Sequence, residues 1–180
     1  MDPVFVFGLR GSLAALFAIA TLYKLRHYAE HRGHVAGYLA AFGIARRGAV
    51  TAAAIASVLA ELVVAVLCLV TARATTAAFA VSGLLTAYAL AMALRWRAQG
   101  AASCGCSWGS RDVPISVALV ARNLVMAGLA AAAAWPVATR VLAPPDLLVA
   151  LLIALSGLVV YLAATQLIEN HGTGTWLRAR

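Results

Sequence analysis

The feature that most constrains this chain is a series of long apolar runs spread along its whole length. Each run is close to the roughly 20 residues that a helix needs to cross a bilayer. The runs cover about residues 4–23, 50–71, 75–94, 115–135 and 147–168. Backbone polar groups inside lipid must be satisfied within the segment, so each run is predicted to be a transmembrane α-helix. We therefore expect residues 1–180 to form a single integral membrane domain of the all-α class.

The composition excludes the main alternatives to a membrane protein. Hydrophobic residues make up 64% of the chain and charged residues 11%. An ordinary soluble domain is about 45–50% apolar and about 25% charged. A single core of this size cannot bury so much apolar surface, so a soluble domain is excluded, and so is a disordered chain. Asp2 stands where a cleavable signal would carry basic residues, so the first run is expected to be retained.

The basic residues predict an orientation in the membrane. The chain has 14 Lys and Arg against 6 Asp and Glu, and they separate the apolar runs instead of forming one cluster. That distribution disfavours nucleic acid and favours contact with lipid headgroups. With five spans, one side holds Lys24, Arg26, Arg32, Arg46, Arg47, Arg95, Arg97, Arg111, Arg178 and Arg180, whereas the other side holds Arg73 and Arg140. The excess places the N-terminus outside and the C-terminus in the cytoplasm. Frequent alanine and arginine resemble the usage of a high-GC bacterial genome, so the expected location is a bacterial plasma membrane.

Cys104-Gly105-Cys106 is the most informative motif. It lies in a polar connector rich in Gly and Ser between the third and fourth runs. Thiolates attack disulfides and bind soft metals, and Gly105 allows the backbone conformations that bring two sulfurs together. Redox exchange, metal binding and two unrelated small residues all remain open for this pair. Cys68, alone in the second run, is interpreted as a small packing residue, with a resolving or relay thiol as the alternative.

Charged residues inside the predicted spans are the second signal. Glu61 and Arg122 lie well within their runs, where an unpaired charge is costly. Arg10 and Lys24 share one face of the first span, and Asn123 follows Arg122. We expect these residues to form a polar interior in which Glu61 pairs with Arg122 or Arg10. The pair either fixes the helix order or belongs to a pocket that tunes the thiols or holds a quinone.

Three histidines after the first span suggest a second possible role for the cysteines, as metal ligands. His27, His31 and His34 fall on one face if the segment is helical, and they share a membrane side with the cysteine connector. Imidazole and thiolate together can hold zinc or copper. The alternative function is therefore soft-metal binding or transport by these histidines with Cys104 and Cys106. A surface helix without a metal is the other interpretation.

The combination of these motifs resembles that of a known family. The order of its motifs is similar to that of the MauE/DoxX group of redox-associated membrane proteins, and to the methylamine-utilisation MauE branch in particular. The resemblance spans roughly residues 10–130. It rests on Arg10, Phe17, Lys24-Leu25, Glu61-Leu62, Ser103-Cys104-Gly105-Cys106 and Arg122-Asn123. One departure is Ser107-Trp108 before Gly109, where family members commonly have a single Phe before the Gly.

The resemblance implies a four-helix transmembrane bundle of the DoxX/MauE type with a fifth transmembrane helix added. It implies that Cys104 and Cys106 are the redox pair and that Arg10, Lys24, Glu61, Arg122 and Asn123 line the interior. It also implies a thioredoxin-like partner and a part in the disulfide maturation of methylamine dehydrogenase. The group invites comparison with disulfide-forming membrane enzymes of the DsbB and vitamin K epoxide reductase type, which makes quinone the candidate cofactor.

Three functional hypotheses follow. The first is thiol–disulfide exchange with a thioredoxin-like protein, the second is metal handling, and the third is a non-catalytic scaffold that anchors a soluble redox partner. The predicted cytoplasmic side of the cysteines conflicts with oxidising chemistry, since structural disulfides form outside the cytoplasm. The direction of electron flow therefore stays open.

Overall fold

The computed structural model describes residues 2–70, 74–99, 115–134 and 140–178. Within these ranges the chain contains six α-helices and no strand. The helices are α1 (Pro3–Arg26), α2 (Tyr28–Ala40), α3 (Arg47–Val70), α4 (Ala74–Gln99), α5 (Val117–Ala132) and α6 (Pro144–Arg178). The predicted all-α class is confirmed.

Four of the five predicted spans are helices long and apolar enough to cross a membrane, namely α1, α3, α4 and α6. The fourth predicted span, 115–135, corresponds to the shorter α5, which has 16 residues. Ser116 caps its start, because the Ser116 Oγ accepts a hydrogen bond from the Leu119 amide at 3.3 Å. At 1.5 Å per residue α5 is about 24 Å long, less than the roughly 30 Å hydrocarbon core.

The predicted start of the last span, residue 147, is three residues late. The sequence suggests that Pro144 and Pro145 break the chain before the helix, but both lie in the first turn of α6. Proline is tolerated there because the first backbone amides of a helix have no intrahelical acceptor. Asp146 supports this start, since its Oδ2 accepts from the Ala143 amide at 2.8 Å.

The segment after the first span forms a separate helix. His27 leaves helical geometry, with φ −114° and ψ 40°, and the chain continues as α2. α2 carries Glu30, His31, Arg32 and His34, and it is not among the candidate membrane spans. It packs on α3 and also contacts α1 and α4. α2 therefore covers one end of the bundle instead of crossing it.

The core is built by α1, α3, α4 and α5 together. Phe17, Val64, Val81 and Ala130 come from these four helices in turn and belong to one buried apolar cluster. α6 packs on α1, and no side chain from Pro144 to His171 is fully buried. The arrangement agrees with the predicted four-helix bundle plus one added helix.

Successive spans alternate in direction, so the bundle has two chemically different ends. One end, here called the basic end, carries Lys24, Arg26, Arg47, Arg95 and Arg97. The opposite end, here called the Asp2 end, carries Asp2, Arg140 and Asp146. There Arg140 bridges Asp146 at 2.9 Å and Asp2 at 3.3 Å. This bridge joins the start of α1 to the start of α6.

Candidate functional site

The central polar feature of the bundle is an ion pair between Lys24 of α1 and Glu61 of α3. The Tyr88 hydroxyl of α4 donates to the same carboxylate oxygen, Glu61 Oε1, at 2.9 Å. The Lys24 ammonium also lies 5.1 Å from the centre of the Tyr88 ring. The expectation that Glu61 pairs with Arg122 or Arg10 is therefore wrong.

The direction of side chains along a helix explains the actual partner. Cα–Cβ bonds tilt toward the N-terminus of their own helix. Because α1 and α3 run in opposite directions, Lys24 leans away from the basic end while Glu61 leans toward it. Their head groups therefore meet between the levels of the two backbones. A charge near a span end can thus neutralise one near the middle.

Two buried polar atoms on the two helices that form this pair have no hydrogen-bond partner among the described residues. They are Glu61 Oε2 and Thr21 Oγ1, and both residues are almost fully buried. Thr21 lies one turn before Lys24 on the same face of α1. A buried polar group without a partner costs free energy, so these two atoms stand out from the apolar packing around them. We call Thr21, Lys24, Glu61 and Tyr88 the polar centre.

Arg10 is buried at a different level, nearer the Asp2 end. Its Nε donates to the Cys68 carbonyl at 3.0 Å, and its guanidinium lies 5.8 Å from the Phe7 ring centre. Cys68 itself is 4% exposed and belongs to the apolar core. Arg10 therefore ties α1 to the last turn of α3, and Cys68 packs as a small apolar side chain.

Arg122 and Asn123 form a third polar group, between α5 and α6. Arg122 Nη1 donates to Thr165 Oγ1 at 3.0 Å, and its Nη2 donates to the Asn123 carbonyl oxygen at 3.3 Å. The guanidinium lies 5.2 Å from the Tyr161 ring centre. The five predicted interior residues are thus divided among three places, and only Lys24 and Glu61 form an ion pair with each other.

The three histidines do not share one set of contacts. His27 stacks on Tyr23, whereas His31 Nε2 lies 2.9 Å from Ser57 Oγ of α3. Burial, together with the nearby Lys24 and His34, lowers the pKa of His31 to about 4. Across the described ranges, no group of three His, Cys, Asp or Glu side chains is placed to hold a metal ion.

Arg95 is a site residue that the sequence did not single out. It is 7% exposed, and its guanidinium lies 4.5 Å from the Tyr38 ring centre of α2. Its Nε and Nη1 have no acceptor in the described part of the chain. The available signal was the spacing of Tyr88, Met92 and Arg95, which places Arg95 on the inward stripe of α4.

Cys104 and Cys106 lie outside the described residues. The described chain on either side of them, at the end of α4 and the start of α5, is at the basic end. Met92 of α4 packs there with Ile115 and Leu119, which flank the start of α5. The connector that carries the cysteines therefore starts and finishes at the same end of the bundle as α2 and Arg95.

Comparison with known proteins identifies relatives of this chain. The family model described as "Methylamine utilisation protein MauE" matches residues 2–136. A relative from Paracoccus denitrificans, named "Methylamine utilization protein MauE", is 36% identical over 173 residues. The match covers 93% of this chain and 89% of that relative. No solved structure is significantly similar. On the family match and on this identity over nearly the whole length, the chain belongs to the MauE family.

Proposed function

We propose that this protein is a membrane thiol–disulfide redox protein of methylamine utilisation. Its Cys104-Gly105-Cys106 motif would exchange electrons with a thioredoxin-like partner during the disulfide maturation of other proteins. The single observation that carries the proposal is this pair of cysteines, one residue apart, in a polar connector. Cys68 is buried in the apolar core, which leaves the pair as the thiols suited to exchange.

The chemistry needs only the two sulfurs and a partner with its own pair. A thiolate attacks one sulfur of a disulfide, forms a mixed disulfide and releases the other sulfur as a thiolate. A second thiolate then breaks the mixed disulfide. The net result moves two electrons and two protons from the dithiol of one protein to the disulfide of the other. Basic side chains at this end, including Arg95 and Arg97, favour the thiolate form.

The polar centre is the candidate quinone site. A quinone, when bound, accepts two electrons and two protons. The Thr21 hydroxyl can donate a hydrogen bond to a carbonyl oxygen, and Glu61 Oε2 can accept one from a hydroxyl. Lys24 and Tyr88 hold the carboxylate in place through Glu61 Oε1. These two atoms, one able to donate and one to accept, are what supports a ligand at the polar centre.

The redox state of the cysteine pair in cells tests the proposal. Cells are treated with a mild oxidant or a reductant, and free thiols are then alkylated with a mass-shifting maleimide. We expect the number of free thiols to change by two per molecule between the treatments. A Cys68→Ser variant should behave in the same way, whereas Cys104→Ser should abolish the paired change. A pair that stays reduced under all oxidants would exclude disulfide formation.

A further inference from the structure

Arg95 is buried at the basic end without a complete set of partners. The side chain is 7% exposed, and two guanidinium nitrogens, Nε and Nη1, meet no acceptor within the described ranges. A buried guanidinium that lacks acceptors is costly, since its desolvation is not compensated. The Tyr38 ring, 4.5 Å away, compensates in part through a cation–π contact. The remaining N–H donors would be satisfied by an anion bound beside the guanidinium.

Helix α2 is shaped to hold this guanidinium in place. Gly37 lies directly against Arg95, and a Cβ atom at Gly37 would come within 2.6 Å of Arg95 Nη2. A side chain at position 37 would push the end of the arginine aside, so glycine leaves room for the guanidinium between α2 and α4. The contacts of Gly37 and Tyr38 therefore fix the position of the charge.

The depth of Arg95 indicates what kind of anion is available. It lies three residues before the end of the candidate membrane span Thr75–Ala98. Trp96, the next residue, is 42% exposed, as expected for a side chain at the level of the headgroups. At this depth the abundant oxyanion is phosphate, and the planar guanidinium matches its oxygens.

We propose that Arg95, held by Gly37 and Tyr38, is the centre of a binding site for a phosphate group at the basic end of the bundle. The phosphate comes either from an anionic phospholipid headgroup or from free phosphate. Arg95 also adds to the positive charge at the end where the cysteine connector begins and finishes, but the proposed site needs neither a thiol nor a residue of the polar centre. Phosphate binding and thiol exchange are measured separately, so the two proposals can fail separately.

Binding of phosphatidylglycerol to the full chain in detergent, counted by native mass spectrometry, tests the site. The test variant is Arg95→Gln, and the matched control is Arg97→Gln, which removes the same charge from an exposed position two residues away. We expect the Arg95→Gln variant to bind the lipid about tenfold more weakly, as loss of a charge-assisted hydrogen bond implies. The Arg97→Gln variant should bind like the unmodified chain.

A second arm identifies the source of the phosphate. Inorganic phosphate is added as a competitor and its own binding is measured by phosphorus NMR line broadening. Lipid that resists displacement identifies the headgroup, and displacement with Arg95-dependent phosphate binding identifies the free ion. Either result supports a phosphate site. Equal lipid and phosphate affinities in the Arg95→Gln and Arg97→Gln variants would overturn it.

A glycine pair keeps the test decisive if Arg95→Gln does not fold. Gly37→Ala displaces the flexible end of Arg95, whereas Gly33→Ala, one turn earlier on α2, adds a methyl group where nothing lies within 4 Å. We expect weaker phosphate-group binding in Gly37→Ala and unchanged binding in Gly33→Ala. Equal affinities in these two variants would likewise overturn the proposal.

Discussion

The contact between Lys24 and Glu61 shows how a single carboxylate is accommodated inside an apolar bundle. The Glu61 side chain is 3% exposed and that of Lys24 is 17% exposed. Desolvation of both charges is expensive, and the ion pair with the Tyr88 hydrogen bond compensates for it. The pair is therefore more sensitive to loss of one partner than to loss of both.

Removal of the Glu61 charge should destabilise the fold. In Glu61→Gln the Lys24 ammonium stays near the interior without its counter-charge, and we expect a loss of about 3 kcal/mol in the free energy of unfolding. The double variant Lys24→Met/Glu61→Gln should recover part of that loss. Thermal unfolding in detergent measures both. Asp146→Asn, in an exposed pair with Arg140, is the control and should cost less than Glu61→Gln, since an exposed ion pair contributes little. Equal losses in Glu61→Gln and Asp146→Asn would contradict the account.

His31 should make stability depend on pH on the acid side. Its pKa is lowered from 6.5 to about 4 in the folded protein, chiefly by burial. The neutral form is thus favoured by folding, and the contribution is fully present above pH 6.5. As the pH falls toward 4 the unfolded chain takes up the proton first, so the folded state loses stability. His31→Gln should flatten the decline in the unfolding temperature between pH 6.5 and 4.5. In contrast, the exposed His171→Gln should leave the decline unchanged, and the same decline in both variants would be evidence against this role.

At the residue scale the sequence indicated which charges lie inside but not which partners they take. Arg10 and Glu61 could not be assigned because the partner depends on helix tilt and rotation, which periodicity does not define. Arg95 was counted only as a basic residue near the cysteines. Its burial depends on Gly37 and Tyr38, from a helix whose packing no local pattern describes.

The contact between α1 and α6 is an example of close packing by small residues. A Cβ at Gly8 would come within 2.6 Å of Ile153, and one at Gly157 within 2.5 Å of Ser12 Oγ. The Ser12 Oγ also donates to the Ala154 carbonyl across the interface at 2.9 Å. Such approach of two backbones is typical of helix association in membranes, where apolar area alone gives little preference for a neighbouring helix over lipid.

A methyl group at Gly8 should therefore weaken the attachment of α6. Gly8→Ala collides with Ile153 and with the Ala150 carbonyl oxygen of the backbone, so α6 must shift. We expect a lower unfolding temperature and faster proteolysis in the connector before α6. Gly128→Ala, on α5, is the matched control because nothing lies within 4 Å of the added atom. It should be neutral or stabilising, since alanine is the better helix former by about 1 kcal/mol. An equal effect in both variants would show that the close contact between α1 and α6 does not determine the stability of the protein.

At the element scale the apolar runs predicted the spans well because length and hydropathy are local properties. The predicted spans and the observed helices differ at their ends. α4 continues past the predicted residue 94 to Gln99, because arginine and tryptophan at headgroup depth do not interrupt a helix. The sequence does not predict α2 firmly, since its mixed polar composition has no clear period. Its packing on α3, with further contacts to α1 and α4, stabilises it.

At the scale of the whole molecule the two ends differ in charge, which predicts the orientation in the membrane. From the positive excess at the basic end we predict that this end faces the cytoplasm. Single-cysteine variants in a chain free of other cysteines test this prediction with a membrane-impermeant maleimide. Val141→Cys, 94% exposed at the Asp2 end, should react in intact cells. Phe42→Cys, 53% exposed between α2 and α3, should react only after permeabilisation. The reverse pattern would invert the topology and place the cysteine connector outside.

The fold class could be predicted because five apolar runs and few charges leave a helical bundle as the one solution. The packing of the helices within that bundle could not be predicted in the same way. Buried contacts decide which helix lies outside the four-helix core, and hydropathy does not reveal them. α6 is as apolar as α3, yet no side chain from Pro144 to His171 is buried. The family resemblance supplied the arrangement of four helices plus one, which hydropathy alone does not distinguish from five equal helices.

The most direct measurement of the central claim is the trapping of a mixed disulfide. In a Cys68→Ser/Cys106→Ser variant the single remaining thiol, Cys104, can form a mixed disulfide with a partner, and this protein has no second thiol to resolve it. We predict a covalent adduct with a thioredoxin-like protein, detected by non-reducing gel electrophoresis and mass spectrometry. The adduct should be lost on reduction and absent from a Cys68→Ser/Cys104→Ser/Cys106→Ser variant. If no adduct forms through Cys104, or through Cys106 in the reciprocal Cys68→Ser/Cys104→Ser variant, thiol–disulfide exchange is not the function of this protein.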